Sequence, residues 1–167
     1  MQIVLNSIVL EPNRWTAGKE PHRPLRDWLQ PIAETGFRHV EIWQNHAALL
    51  GDDELADLRA SARALNVNFP IMGMYPRFAL DGEERIRELD RFDDIARRMR
   101  ALGCWMLRVM PGRVPSADMT QDLREHCRNF VRDVLARSED AGYVLALEVH
   151  DGTLADDPEH LLRFVEA

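Results

Sequence analysis

Two carboxylates and two histidines stand where they could act on a substrate. Glu148 and His150 close the apolar run that begins at Tyr143, and their separation by two gives them the same strand parity. Glu41 lies inside a second apolar run, and His46 follows shortly after it. A carboxylate in a buried strand is costly unless it is paired or metal-bound. Such oxygen and nitrogen ligands suit Mn, Mg, Co or Zn, which would polarise a carbonyl or hydroxyl while a carboxylate moves a proton.

Each of these residues also allows a structural interpretation. Glu148 could pair with Arg108 of a neighbouring strand, and Glu41 could hold a backbone amide or an arginine. His150 could be a solvated loop residue, and His46 could lie in a loop or at the start of a helix. The residue types and their spacing leave these alternatives open.

The elements that would position these residues form a repeat of strands and amphipathic helices. Gly36, Asn66, Gly103 and Gly142 each stand between an apolar helical pattern and a strand-like run, where a left-handed residue ends a helix. The strand-like runs are Ile3–Leu5, Phe37–Trp43, Val67–Met72, Trp105–Met110 and the run from Tyr143. The clearest helix carries Ile86, Leu89, Phe92, Ile95, Met99 and Leu102, and the last carries Leu161, Leu162 and Val165 after Asp157-Pro158. The repeat predicts a parallel sheet with right-handed crossovers.

Ligand sites in parallel sheets lie at the carboxyl ends of the strands. The polar residues that we place there are Asn6, Glu41, His46, Arg108, Glu148 and His150. A doubly wound open sheet fits 167 residues, whereas a (β/α)8 barrel typically needs about 250. Neither GxGxxG nor a P-loop follows the first strand, which argues against the usual phosphate-binding open sheets.

Composition narrows the class of protein. A hydrophobic content of 46% in 167 residues predicts one globular domain over residues 1–167. The formal net charge of -7, without a basic cluster interleaved with aromatics, argues against nucleic-acid binding. No apolar run approaches a membrane span and no basic segment precedes the first apolar residues, so we expect a cytoplasmic protein. Cys104 and Cys127 have no metal-ligand spacing and are expected to be buried free thiols.

Three segments together resemble a known family. They are Leu145 to Leu162 (Leu-Ala-Leu-Glu-Val-His-Asp-Gly and onward), Gly36 to Trp43, and Arg108 to Gly112. They resemble the xylose isomerase-like TIM-barrel superfamily of sugar phosphate isomerases and epimerases. The resemblance implies an α/β fold of (β/α)8 type, with Glu148 as metal ligand and acid/base residue. The family's other ligands come from strands six to eight, which this sequence does not contain, so we expect an incomplete barrel of about five βα units.

The resemblance implies a metal-dependent sugar or sugar phosphate isomerase or epimerase that works by aldose-ketose or C3 proton transfer. We assign catalysis to Glu148, Glu41 and His150, and contacts with a small sugar or polyol to His46, Arg108 and Asn6. One ligand does not hold a catalytic metal, so the metal and the activity are expected of the intact protein.

Two alternatives remain for the function. One is a dehydratase of the same superfamily that acts on a cyclic polyol, and the other is a non-catalytic α/β module completed by a partner chain. Strands one and five would leave parallel edges uncovered in a five-stranded sheet. Uncovered edges are templates for pairing, so we also expect homo-oligomers formed through them.

Overall fold

A computed structural model of the chain describes residues 3–78 and 80–165. Five strands form one sheet in the order β1-β2-β3-β4-β5. They are β1 (Val4–Asn6), β2 (His39–Trp43), β3 (Asn68–Met74), β4 (Met106–Val109) and β5 (Val144–Leu147). The strands are parallel and helices connect them along the chain, so the predicted α/β repeat is confirmed.

Six α-helices follow the same order along the chain. They are α1 (Leu29–Glu34), α2 (Gln44–Ala48), α3 (Asp52–Ala64), α4 (Gly82–Leu102), α5 (Gln121–Ala141) and α6 (Pro158–Val165). Pro31 lies in the first turn of α1, where backbone N–H groups have no acceptor within the helix, so its missing N–H leaves no helical hydrogen bond unmade. A 3-10 helix, Leu25–Trp28, directly precedes α1. None of the helices among the described residues is long and apolar enough to cross a membrane.

Left-handed residues end the helices where the sequence predicts them. Backbone φ is +91° at Gly36, +56° at Asn66, +82° at Gly103 and +75° at Gly142. Glycine adopts this conformation without a Cβ clash, and asparagine tolerates it better than other side chains do. A strand begins two or three residues after each of these four positions.

The chain divides into two compact units. The first comprises residues 1–73 and 97–106, and the second comprises 74–96 and 107–167. Val40, Ile42 and Leu55 have no exposed surface in the core of the first unit. In the second unit the ring of Phe130 packs against the rings of Phe78 and Phe92, with centroids 5.4 and 5.7 Å away.

The predicted apolar face of α4 is wrong at its beginning. Ile86 is 59% exposed, whereas Glu88 is buried. The Glu88 carboxylate accepts hydrogen bonds from the Arg91 guanidinium at 2.6 and 2.8 Å and from the Arg77 backbone N–H at 3.3 Å. Because these donors replace water, the Glu88 carboxylate can be buried on α4 although the predicted apolar face does not include it.

The apolar face predicted for the last helix is also partly wrong. Leu162 and Val165 are exposed, and Phe164, the largest apolar residue of α6, is the one that is buried. β5 is only partly buried, since Val144 is 50% exposed and the rest of the strand is half-buried. β5 lies at an edge of the sheet, with β4 as its neighbour.

Candidate functional site

Asn6 and Glu41 meet at the carboxyl end of β1. The parallel register of β1 and β2 places Asn6 opposite Glu41, and the Asn6 side-chain amide donates a hydrogen bond of 3.1 Å to the Glu41 carboxylate. The Asn6 amide oxygen accepts from the backbone N–H of Ile8 at 3.0 Å and caps the following 3-10 helix. Glu41 is buried, so an amide donor partly satisfies its carboxylate.

His46 lies inside a closed hydrogen-bond network. Its Nδ1 is 3.0 Å from the Ser7 hydroxyl oxygen, and its Nε2 is 2.7 Å from a Glu11 carboxylate oxygen. The side chains of His46 and Glu11 have no exposed surface. Burial lowers the pKa of His46 despite the opposing effect of the Glu11 carboxylate. The neutral ring then accepts from Ser7 at Nδ1 and donates to Glu11 at Nε2.

The order of contacts Ser7, His46 and Glu11 is that of a hydrolase triad, but the burial of Ser7 argues against nucleophilic chemistry. Ser7 has no exposed surface, and its oxygen also accepts the backbone N–H of Trp43 at 2.9 Å. A hydroxyl enclosed in this way cannot reach a substrate carbonyl. The network instead joins the end of β1 to α2.

Glu11 extends the same network into the loop that follows. Its second carboxylate oxygen accepts the backbone N–H of His22 at 2.5 Å, and its carbonyl oxygen accepts from the Arg14 guanidinium at 2.7 Å. Glu11 lies outside the apolar repeats of the sequence, and its partner is a histidine 35 residues away, so no local pattern indicates the pairing.

Glu148 forms an ion pair with Arg108 in the second unit. The backbone N–H of Glu148 donates to the Val109 carbonyl at 2.8 Å, which keeps it in register with β4. The Arg108 guanidinium donates to the Glu148 carboxylate and, at 3.2 Å, to the Tyr75 hydroxyl. It also lies 5.4 Å from the centre of the Tyr75 ring. The ion pair that the sequence allowed as an alternative is therefore present, and Tyr75 is a further member that it did not single out.

His150 is exposed, and its ring forms a hydrogen bond with the backbone of the next residue. Its Nδ1 is 2.7 Å from the Asp151 carbonyl oxygen. Since a carbonyl only accepts, Nδ1 carries the proton, and in the neutral ring Nε2 bears the lone pair. The hydrogen bonds of Glu148 and His150 thus involve different partners.

The described residues do not form a complete metal site. Within residues 3–78 and 80–165, no group of three or more histidines, cysteines, aspartates or glutamates is placed to hold a metal ion. The carboxylate of Glu148 is engaged by Arg108. Cys104 and Cys127 are free thiols, and burial raises the thiol pKa of Cys104 to about 12 and that of Cys127 to about 11. They are therefore protonated and poor ligands at neutral pH. Cys127 is buried as predicted, whereas Cys104 is half-buried.

The class of protein follows from comparison with known families and structures. The sequence profile of the family described as xylose isomerase-like TIM barrel matches residues 29–167, so the chain belongs to this family. A search of curated protein sequences finds no match.

Solved structures of the same fold match almost the whole chain. A probable 3-DHS dehydratase from Bacillus anthracis has a TM-score of 0.82 and 19% identity, over 99% of this chain and 58% of that one. A D-psicose 3-epimerase with D-tagatose from Clostridium cellulolyticum H10 has a TM-score of 0.75 and 16% identity, over 99% and 59%. A xylose isomerase-like TIM-barrel protein from Mycobacterium smegmatis, in complex with magnesium, has a TM-score of 0.72 and 16% identity, over 99% of this chain and 60% of that one.

The chain thus spans about three fifths of the length of these structures, and its five parallel strands are part of a TIM barrel. The predicted family and fold are confirmed. The structure joins Asn6 to Glu41 and Arg108 to Glu148, and it encloses His46 with residues that were not assigned to the site. The catalytic and substrate-binding roles assigned to the six residues stay predictions.

Proposed function

We propose that this protein is an isomerase or epimerase of a small sugar or sugar phosphate, with Glu148 as a proton-transfer residue. The observation that supports this most is the position of Glu148, directly after β5 and beside the Arg108 guanidinium. Membership of the xylose isomerase-like family makes sugar chemistry the leading interpretation.

The groups around Glu148 suit proton transfer next to a carbonyl. A carboxylate base removes the proton from the carbon beside the carbonyl, and negative charge then develops on the carbonyl oxygen. A guanidinium such as that of Arg108 stabilises developing negative charge when it is fixed in advance, and the Tyr75 hydroxyl helps to orient it. His150, with its lone pair on Nε2, is the proposed second proton carrier.

Dependence on a divalent metal is proposed for the whole protein. The described residues do not supply a full ligand set, and Glu148 is the residue that we propose as one ligand of it. The structural relative in complex with magnesium supports a metal in this family. When bound, such a metal would polarise the carbonyl or hydroxyl of the substrate.

Exchange of substrate hydrogen with solvent tests the proposal. The whole protein, with Mn²⁺ or Mg²⁺, is incubated in D2O with D-tagatose or D-fructose, and proton NMR follows the hydrogens next to the carbonyl. We expect exchange that Glu148→Gln reduces by about 10²–10⁴-fold, the usual contribution of a general base. Glu139→Gln, which changes an exposed glutamate on α5, serves as the control and should exchange at the wild-type rate.

Three outcomes would contradict the proposal. They are equal exchange in the wild type and Glu148→Gln, no exchange with any sugar and metal, and elimination of water from 3-dehydroshikimate by a protein that exchanges no sugar hydrogen. The last would indicate the dehydratase alternative. Circular dichroism of Glu148→Gln verifies that a lost signal does not reflect unfolding.

A further inference from the structure

A basic cavity lies between α5 and α6 in the second unit. It has a volume of about 300 Å³ and is lined by Arg124, Arg128, His160, Arg163 and Phe164. Arg124 and Arg128 are one turn apart on α5, so they share a face of the helix. None of the six residues assigned to the strand-end site lines this cavity.

The positive charge of the cavity is only partly balanced. Arg163 lies 3.8 Å from the exposed Glu159 carboxylate, and Arg124 donates at 3.0 Å to the carbonyl oxygen of Ser116, which carries no charge. Arg128 forms no ion pair with any residue in the described part of the chain. At least two guanidinium charges, those of Arg124 and Arg128, therefore face a small volume without a carboxylate partner among the described residues.

One nitrogen atom of the lining, Nε of Arg128, is buried without a hydrogen-bond partner among residues 3–78 and 80–165. The ring of His160 is paired instead, because its Nδ1 lies 3.2 Å from an Asp157 carboxylate oxygen. A buried donor without an acceptor costs free energy, so a ligand that brings acceptor oxygens into this cavity would be stabilised there.

We propose that this cavity binds a phosphate group, either as inorganic phosphate or as the monoester of a small molecule. Phosphate only accepts hydrogen bonds when fully ionised, and its oxygens match the forked N–H groups of guanidinium. The cavity has the size of the smaller ligand pockets of proteins. The net charge of the whole chain is -7, so the basic character is local to this cavity. The proposal goes beyond the sugar chemistry assigned to Glu148 and does not depend on it.

Titration of the full chain with inorganic phosphate at constant ionic strength tests the proposal. Isothermal titration calorimetry should show saturable binding, which Arg128→Gln weakens by about tenfold or more, the usual effect of a charge-assisted hydrogen bond. Because Arg128 has no ion-pair partner in the described part of the chain, its loss should leave the fold intact, which a thermal melt verifies. Arg163→Gln, at the other wall, should weaken binding as well.

Arg132→Gln is the matched control. Arg132 lies one turn beyond Arg128 on the same helix, does not line this cavity, and donates to the Asn129 side chain at 3.5 Å. Its substitution removes the same net charge and should change the affinity by less than about twofold if the cavity, and not overall charge, binds phosphate.

A second titration with glycerol phosphate distinguishes the two sources of phosphate. Tighter binding of the ester assigns the cavity to an organic monoester, and tighter binding of the inorganic ion assigns it to free phosphate. Absence of saturable binding for both, or equal weakening by Arg128→Gln and Arg132→Gln, would overturn the proposal.

Discussion

The groups that enclose His46 determine which of its ring nitrogens carries a proton. Its ring accepts from the Ser7 hydroxyl and donates to the Glu11 carboxylate, and no part of its side chain is exposed. Protonation would force Nδ1 to become a donor and would place a second positive hydrogen toward the Ser7 hydroxyl, which must then turn. The pKa of His46 is lowered by burial, in line with this cost.

A pH-dependent stability follows from the lowered pKa of His46. The unfolded chain takes up a proton on this residue near its ordinary pKa of 6.5, whereas the folded protein does so only at lower pH. The contribution of His46 to the free energy of unfolding is therefore fully present above pH 6.5. It falls as the pH drops below this value, by up to ~1.4 kcal/mol per pH unit. Denaturant unfolding at about pH 5.5 and pH 7.5 measures the difference.

The controls for this experiment replace histidines one at a time. His46→Gln should be less stable than the wild type at pH 7.5 but should lose less stability on acidification. His126→Gln, which changes a half-buried histidine on α5, should retain the wild-type pH dependence. If His46→Gln shows the same slope as the wild type, the titrating group is another residue.

The sequence predicted part of the candidate site and missed another part for a physical reason. Glu148 was found because a carboxylate that closes a strand-length apolar run breaks the pattern around it, and its pairing with Arg108 was one of two interpretations. Glu11 was not found, because its partner His46 is remote in the chain and loops have no period. Pairing across 35 residues depends on the fold, which residue types alone do not specify.

At the scale of elements, backbone conformation was more predictable than burial. The four left-handed positions were predicted because few residue types adopt positive φ, which is a local property. The buried sides of α4 and α6 were partly wrong because burial depends on neighbours that are distant in sequence. Glu88 is buried with its own donors, and Phe164 is buried whereas Leu162 and Val165 are exposed.

Asn66 offers a direct test of the helix endings. It stands two residues after the end of α3, where φ is +56° and any side chain with a Cβ is strained. Asn66→Ala should lose about 1 kcal/mol of unfolding free energy, since alanine lacks the polar side chain that makes this conformation tolerable. Asn66→Gly should be as stable as the wild type or more so, because glycine adopts positive φ without a clash. Urea unfolding of the two variants provides the comparison.

This pair of variants separates conformation from contacts. Both substitutions remove the side chain beyond Cβ, so lost contacts would affect them alike. A loss of stability in Asn66→Gly equal to that in Asn66→Ala would show that the side chain of Asn66, and not its φ angle, matters.

At the scale of the whole molecule, the two edges of the sheet are where we expect the chain to associate. The sheet ends at β1 and β5, and among residues 3–78 and 80–165 each of them has a neighbouring strand on one side. Edge strands present unpaired backbone N–H and C=O groups that can pair with another chain. Apolar side chains accompany both edges, with Ile3 62% and Val144 50% exposed. Self-association of the 167-residue chain is therefore expected.

Two matched variants test this expectation in sedimentation velocity experiments across a range of protein concentrations. Val144→Lys puts a charge on the edge strand β5, and Val165→Lys puts the same charge on the exposed surface of α6. The wild type and Val165→Lys should sediment as oligomers whose population grows with concentration, whereas Val144→Lys should shift toward monomer because a charged edge resists pairing. A wild type that stays monomeric at every concentration, or equal behaviour of the two variants, would show that the edge of β5 does not drive association.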